Sequence, residues 1–183
     1  MTQAITAGGA SARARTAAFR HAPLWIAVLV VALDRWSKIS IRHNFSSIDS
    51  YQVIPGWLRI IHTENPGAAF GILAEGNHWL RSGILIGVST LVLIFVIASL
   101  WGSRSSFTGF LSRVGLALIL GGAAGNLYDR VAHGAVTDFI EVYHGNWSFP
   151  AFNVADSAIT VGATLLFLEV IFAPRKPGPP QYS

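Results

Sequence analysis

Between Arg81 and Arg104 the chain runs through 22 residues, 82–103, without one charged side chain. A helix needs about 20 mainly apolar residues to cross a hydrocarbon core. Inside lipid, each backbone N–H and C=O must find its partner within the structure, which confines such a run to a helix. Only 12% of the 183 residues are charged, where an ordinary soluble domain has about 25%. This argues strongly against a soluble globular enzyme and excludes a disordered or acidic chain. The absence of cysteine removes disulfide scaffolds, thiolate zinc sites and cysteine nucleophiles. In so apolar a chain the net charge of +4 suits a basic face against anionic lipid, and no nucleic-acid partner is expected.

Four spans are expected, at about 22–41, 79–101, 113–128 and 152–173, the last ended by Pro174. Residues 1–21 read as a disordered basic tail and 174–183 as a Pro-rich tail. The first span reads as an uncleaved signal-anchor, because no A-x-A pattern follows its apolar stretch. Two larger inserts, 42–78 and 129–151, lie on the side away from the tails. In the first, Pro55-Gly56 and Asn65-Pro66-Gly67 are turn signals around short β-type runs, which predicts a small sheet or cradle. The expected fold is thus a membrane all-α, four-helix bundle with a small β cradle on its outer face.

Seven of the 13 Lys and Arg residues (Arg13, Arg15, Arg20, Arg104, Arg113, Arg175 and Lys176) occupy the tails and the short loop. By the positive-inside rule both termini are cytoplasmic. That topology brings the intramembrane polar residues to one level. Asp34 lies in the outer half of span one, Asn126, Asp129 and Arg130 at the outer end of span three, and Asn153 and Asp156 at the outer start of span four. Asp138 precedes span four closely. Ionisable groups at membrane depth are costly and mark function by default. Asp34 and Lys38, like Asn126 and Arg130, are four apart and share a helix face. Gly121 and Gly125 form a small-xxx-small pattern for close helix packing.

Each residue also has a plainer reading. Asp138 could be a solvated loop carboxylate and Asp156 a first-turn helix acid. Asp34 with Lys38 could be a structural ion pair, and Asp129 with Arg130 an interfacial one. Glu64, Glu75 and Glu141 read as solvated acids, and Glu169 as snorkelling near the inner end. The six histidines show no metal-ligand spacing, so neither a metal site nor a cofactor is expected. HExxH, GxSG and GxGD motifs are absent, which argues against zinc, rhomboid-type and presenilin-type proteases. A transporter or proton channel, or a non-catalytic scaffold, would also use polar stripes. Transporters, however, usually show repeats and a site at the midplane.

The motifs DRWSK (34–38), NPGAAF (65–70), GGAAGNLYDR (121–130), VTDF (136–139) and FNVAD (152–156) occur in that order. Together, over residues 22–172, they resemble the lipoprotein signal peptidases (signal peptidase II), bacterial intramembrane aspartic proteases. The resemblance implies Asp138 and Asp156 as the catalytic pair. Asn65, Asn126, Arg130 and Asn153 would surround them, with Asp34, Lys38 and Asp129 in support. It implies a diacylglyceryl-modified prolipoprotein as substrate, cut just before the lipidated cysteine. It further implies inhibition by globomycin and residence in the inner membrane; a monomer among membrane lipid is expected, and the topology above puts the site near the outer leaflet.

Overall fold

The computed structural model describes residues 3–67, 78–102 and 109–172; the side chains of 3–20 and of residue 78 are outside the description. Glu75, the last three residues of NPGAAF and the tail 174–183 also fall outside it. Among the described residues, four helices and one small sheet make up the fold. Helix α1 spans Gln3–Asn44, α2 His78–Trp101, α3 Phe110–His133 and α4 Val154–Phe172. Among the described residues, three helices are long and apolar enough to cross a membrane: Trp79–Trp101, Phe110–His133 and Val154–Phe172.

The tail expected as disordered over 1–21 is instead helical from Gln3. It is rich in Ala and Arg, both good helix formers. Helix α3 passes the expected end at 128, so Asp129 and Arg130 belong to its last turns. Gly134 then ends it in the left-handed conformation, φ 75°, its N–H donating to the Arg130 carbonyl.

Helix α3 is the centre of the bundle and packs against α1, α2 and α4. Glycine makes this possible. A Cβ at Gly121 would lie 2.7 Å from the Ala27 carbonyl oxygen, and one at Gly122 2.4 Å from that of Ala155. Neither neighbour is a side chain end that could move aside, so both backbones can approach only where α3 has no side chain. On the remaining face Val96 and Leu100 of α2 meet Leu116 of α3 in a buried apolar cluster.

At its start α3 is capped from outside. Gly109 offers no side-chain cap, and the Ser112 N–H donates to Glu169 Oε2 at 2.5 Å. Glu169, expected to snorkel, is therefore a cap supplied by α4, where a negative charge also meets the helix dipole favourably.

The sheet sits where α1 and α3 end and α4 begins. Strands β1 (Ser50–Ile54), β2 (Leu58–Asn65), β3 (Val136–His144) and β4 (Trp147–Ser148) pair antiparallel in sequence order. The Pro55-Gly56 turn joins β1 to β2 as expected, with Gly56 at φ 80°. The second insert adds strands that its sequence had not suggested. Glu141, expected to be solvated, is buried on β3 in an ion pair with Arg59. A backbone joint ties the sheet to the start of α4: Phe152 exchanges backbone hydrogen bonds with Ile140 of β3 (2.8 and 3.0 Å).

Candidate active site

The joint between Phe152 and Ile140 brings two carboxylates together. Asp138 lies two residues before Ile140 on β3, and Asp156 lies in the first turn of α4. Asp138 is 3% exposed, so it is no solvated loop acid.

Asn153 links the pair. It stands one residue before α4, and its Oδ1 accepts the Asp156 N–H at 2.9 Å. Asp156 Oδ2 in turn accepts the Asn153 N–H at 3.3 Å, a reciprocal capping box built from Asn and Asp. Because the Asn153 oxygen is held by an N–H, its NH2 group must point the other way. It donates to Asp138 Oδ1 at 2.7 Å. One buried side chain thus caps α4 and touches both acids.

The other two asparagines obey the same logic. Asn65 Oδ1 accepts the Gly67 N–H at 2.9 Å, which leaves its Nδ2 to donate to Asp138 Oδ2 at 3.0 Å. Asn126 Oδ1 accepts from Lys38 Nζ at 3.0 Å, and its Nδ2 donates to Asp156 Oδ1 at 2.7 Å. Each carboxylate oxygen therefore receives a donor.

Burial pushes the Asp138 carboxyl up to about 6; the Asn65 and Asn153 donors pull it down, the Asp156 charge pushes it up, and Lys38 pulls it down.

Below the pair lies a layer of charge. Lys38, fully buried, meets Asp34 Oδ2 and Asp129 Oδ2, each at 2.8 Å. Asp34 Oδ1 accepts the Ala155 N–H at 3.0 Å, which ties α1 to the first turn of α4. Asp129 does not pair with Arg130. It is held by Lys38, by a short contact to Arg35, by Arg42 at 3.4 Å, and by His133 at 3.6 Å. Arg130 feels the charges of Asp156, Asp138 and Asp129 but hydrogen-bonds to the Ser89 hydroxyl and the Asn126 carbonyl, both at 3.4 Å. Its Nε has no hydrogen-bond partner among the described residues.

The structure thus gathers all nine residues expected from the sequence. Asp138, Asp156, Asn65, Asn126 and Asn153 form one hydrogen-bonded unit, Asp34, Lys38 and Asp129 the layer below, and Arg130 the flank. Sequence reasoning missed Arg35, Arg42 and Thr137. Arg42 Nε donates to Thr137 Oγ1 at 2.7 Å, and that hydroxyl donates to Glu64 at 2.9 Å. The spacing of 35, 38 and 42, one face of a helix, was the available signal.

Beside Asp156 opens a cavity of about 350 Å³, lined by Phe149, Phe152, Ser157, Thr160 and Val161. A cavity of about 500 Å³ on the sheet includes neither Asp138 nor Asp156 in its lining. No group of three or more His, Asp or Glu among the described residues is arranged to hold a metal ion.

Fold and site together define a helical membrane protein with a buried acid, Asp138, beside a half-buried one, Asp156, where its bundle meets a small sheet. The profile of signal peptidase (SPase) II matches residues 26–172, and the chain belongs to that family. It is 44% identical to the lipoprotein signal peptidase of Solibacter usitatus (strain Ellin6076) over 155 residues, 82% of this chain and 91% of that one. Against the lipoprotein signal peptidase of Yersinia pseudotuberculosis serotype O:1b (strain IP 31758) the identity is 42% over 156 residues, 84% of this chain and 88% of the relative. A bacterial membrane enzyme solved by the in meso method at 1.9 Å superimposes with a TM-score of 0.71 at 32% identity, covering 84% of this chain and 94% of the other.

Proposed function

We propose that this chain is an intramembrane aspartic endopeptidase that cuts diacylglyceryl-modified prolipoproteins just before the lipidated cysteine. Family membership supports the coarser part, a membrane protease that removes signal peptides from prolipoproteins. The observation that carries the finer part is the pairing of Asp138 and Asp156 through Asn153.

Two carboxylates side by side do not both ionise readily, so the mechanism has the pair share one proton. Asp138, the buried strand acid, suits the protonated role. Asp156, at a helix N-terminus that favours negative charge, suits the ionised one. Asp156 takes a proton from water, and the water oxygen attacks the scissile carbonyl carbon. Asp138 hydrogen-bonds to the carbonyl oxygen as charge develops there. When the C–N bond breaks, a proton from the pair passes to the leaving amine. Arg130 is the group assigned to the developing oxyanion, on the strength of its unengaged Nε and its field at both acids.

The apolar cavity beside Asp156 suits apolar parts of a lipidated substrate, and a globomycin-type cyclic peptide would compete there. A fourth span, from about residue 22 of α1, agrees with how that helix divides its faces. Leu24, Trp25, Val28, Leu29, Trp36 and Ile39 are exposed, whereas Asp34 and Lys38 are fully buried. Both termini on the cytoplasmic side would place the acids near the outer leaflet, beside the substrate's lipid.

The test is cleavage of a lipidated precursor peptide by purified enzyme. Asp138→Asn and Asp156→Asn should each abolish it in a folded protein, and an unlipidated peptide should be a poor substrate. Cleavage at the native rate by either variant would rule out the pair, and equal turnover of both peptides would rule out recognition of the lipid.

A further inference from the structure

Lys38 lies at full burial between three oxygens. An ammonium has three N–H donors and no acceptor. Asp34 Oδ2 at 2.8 Å and Asn126 Oδ1 at 3.0 Å accept hydrogen bonds from it, and Asp129 Oδ2, 2.8 Å away, is a charge partner. The two carboxylates account for the charge. They do not account for the third contact, which reaches an amide whose other end lies 2.7 Å from Asp156.

An asparagine amide can turn over, exchanging its oxygen for its nitrogen at little cost in shape. For Asn126 the two orientations are chemically opposite. With the NH2 group toward Asp156 it supports an ionised carboxylate; with the oxygen there it confronts a lone pair and favours a protonated one. A donor-only group on the far side selects the first. Asn153 Nδ2 is the other nearby donor, at 3.4 Å from Asn126 Oδ1, and its stronger bond, 2.7 Å, goes to Asp138. We infer that Lys38 is a positioning residue for the reaction, fixing the Asn126 amide so that its NH2 group and not its oxygen faces Asp156. A second tie runs from Lys38 through Asp34 Oδ1 to the Ala155 N–H, one residue before Asp156. The same ammonium thus reaches the Asp156 side chain through Asn126 and the backbone of the preceding residue through Asp34.

This rests on the reading of Asp138 and Asp156 as the catalytic pair. The charged groups around them are Lys38 and Asp34 from α1 and Arg130 and Asp129 from α3, with Arg35, Arg42 and His133 around Asp129. Removing Lys38 alone would also remove a positive charge, so the test uses Asp34→Asn/Lys38→Met, which leaves the net charge unchanged. Cleavage of a lipidated peptide is followed across pH by the whole purified protein. The double variant is expected to lose kcat by about tenfold to a hundredfold, as small misplacements in a site do. KM should change little. The acidic limb of the kcat profile should move up by about one pH unit, the size expected for losing one hydrogen bond to an ionised group. Asn126→Ala should show the same displacement, and adding the double variant to it should displace the limb no further.

A folded double variant with the native limb overturns the inference, as does a displacement that adds in full to that of Asn126→Ala. If the double variant does not fold, Asn126→Ala decides: a raised limb supports the inference and a native limb overturns it. Cleavage by Asp156→Asn would instead remove the catalytic pair itself. An inactive Asp156→Asn beside an unshifted double variant would remove only the role of Lys38.

Discussion

Asp138 shows how position changes a residue's chemistry. In the sequence it is one acid in a polar insert; in the fold it is buried on β3 under two amide donors. Its carboxyl is raised from 3.8 to about 6, chiefly by burial. The folded state therefore binds its proton more tightly than the unfolded chain does. The stabilising effect is complete below about pH 3.8 and is lost as pH rises through about 6. Thermal unfolding in detergent should show the native protein losing stability relative to Asp138→Asn over that window, by at most about 3 kcal/mol. Parallel curves would contradict the burial. Arg35 is the opposite lesson. It is separated from Asp129 by 94 positions, so nothing local could reveal their contact.

At the scale of elements, helices were more legible than strands. An uncharged run sufficed for α2, and charges at the edges bounded α3 and α4 closely enough. The strand β3 was missed although Val136, Phe139, Ile140, Val142 and Tyr143 are strand-forming types. Its long strand partner, β2, comes from an insert 71 to 84 residues earlier, a pairing that nothing local in the sequence reveals. The two capping arrangements should behave differently. Glu169→Gln removes charge from the start of α3, far along α4 from Asp156, and should cost about 0.5–1 kcal/mol of stability with kcat unchanged. Asn153→Ala removes a cap and a donor to Asp138 together, so stability and cleavage should both fall. Melting temperatures and cleavage rates measured on the same samples check both, and a Glu169→Gln protein with reduced kcat would refute the separation of the two ends.

For the whole molecule, the sequence predicted a polar level at one end of an apolar bundle. The fold shows how that level is covered: the sheet closes over it, joined through Phe152. Which side of the membrane this end faces is open to a direct test. The chain has no cysteine, so a single one can be introduced and labelled. Trp147→Cys, at an exposed position on β4, should react with an impermeant thiol reagent added outside intact spheroplasts. Labelling only after lysis would invert the topology and place the carboxylates near the inner leaflet.

The central claim is that Asp138 and Asp156 act as one unit on one water molecule. Groups that act as a unit are not additive: removing either costs about as much as removing both. The most direct measurement compares residual cleavage of a lipidated peptide by Asp138→Asn, by Asp156→Asn and by the variant carrying both changes. The account predicts the same residual rate in all three. If the double variant is slower than either single one by the product of their separate losses, the two carboxylates act independently and the shared-proton mechanism fails.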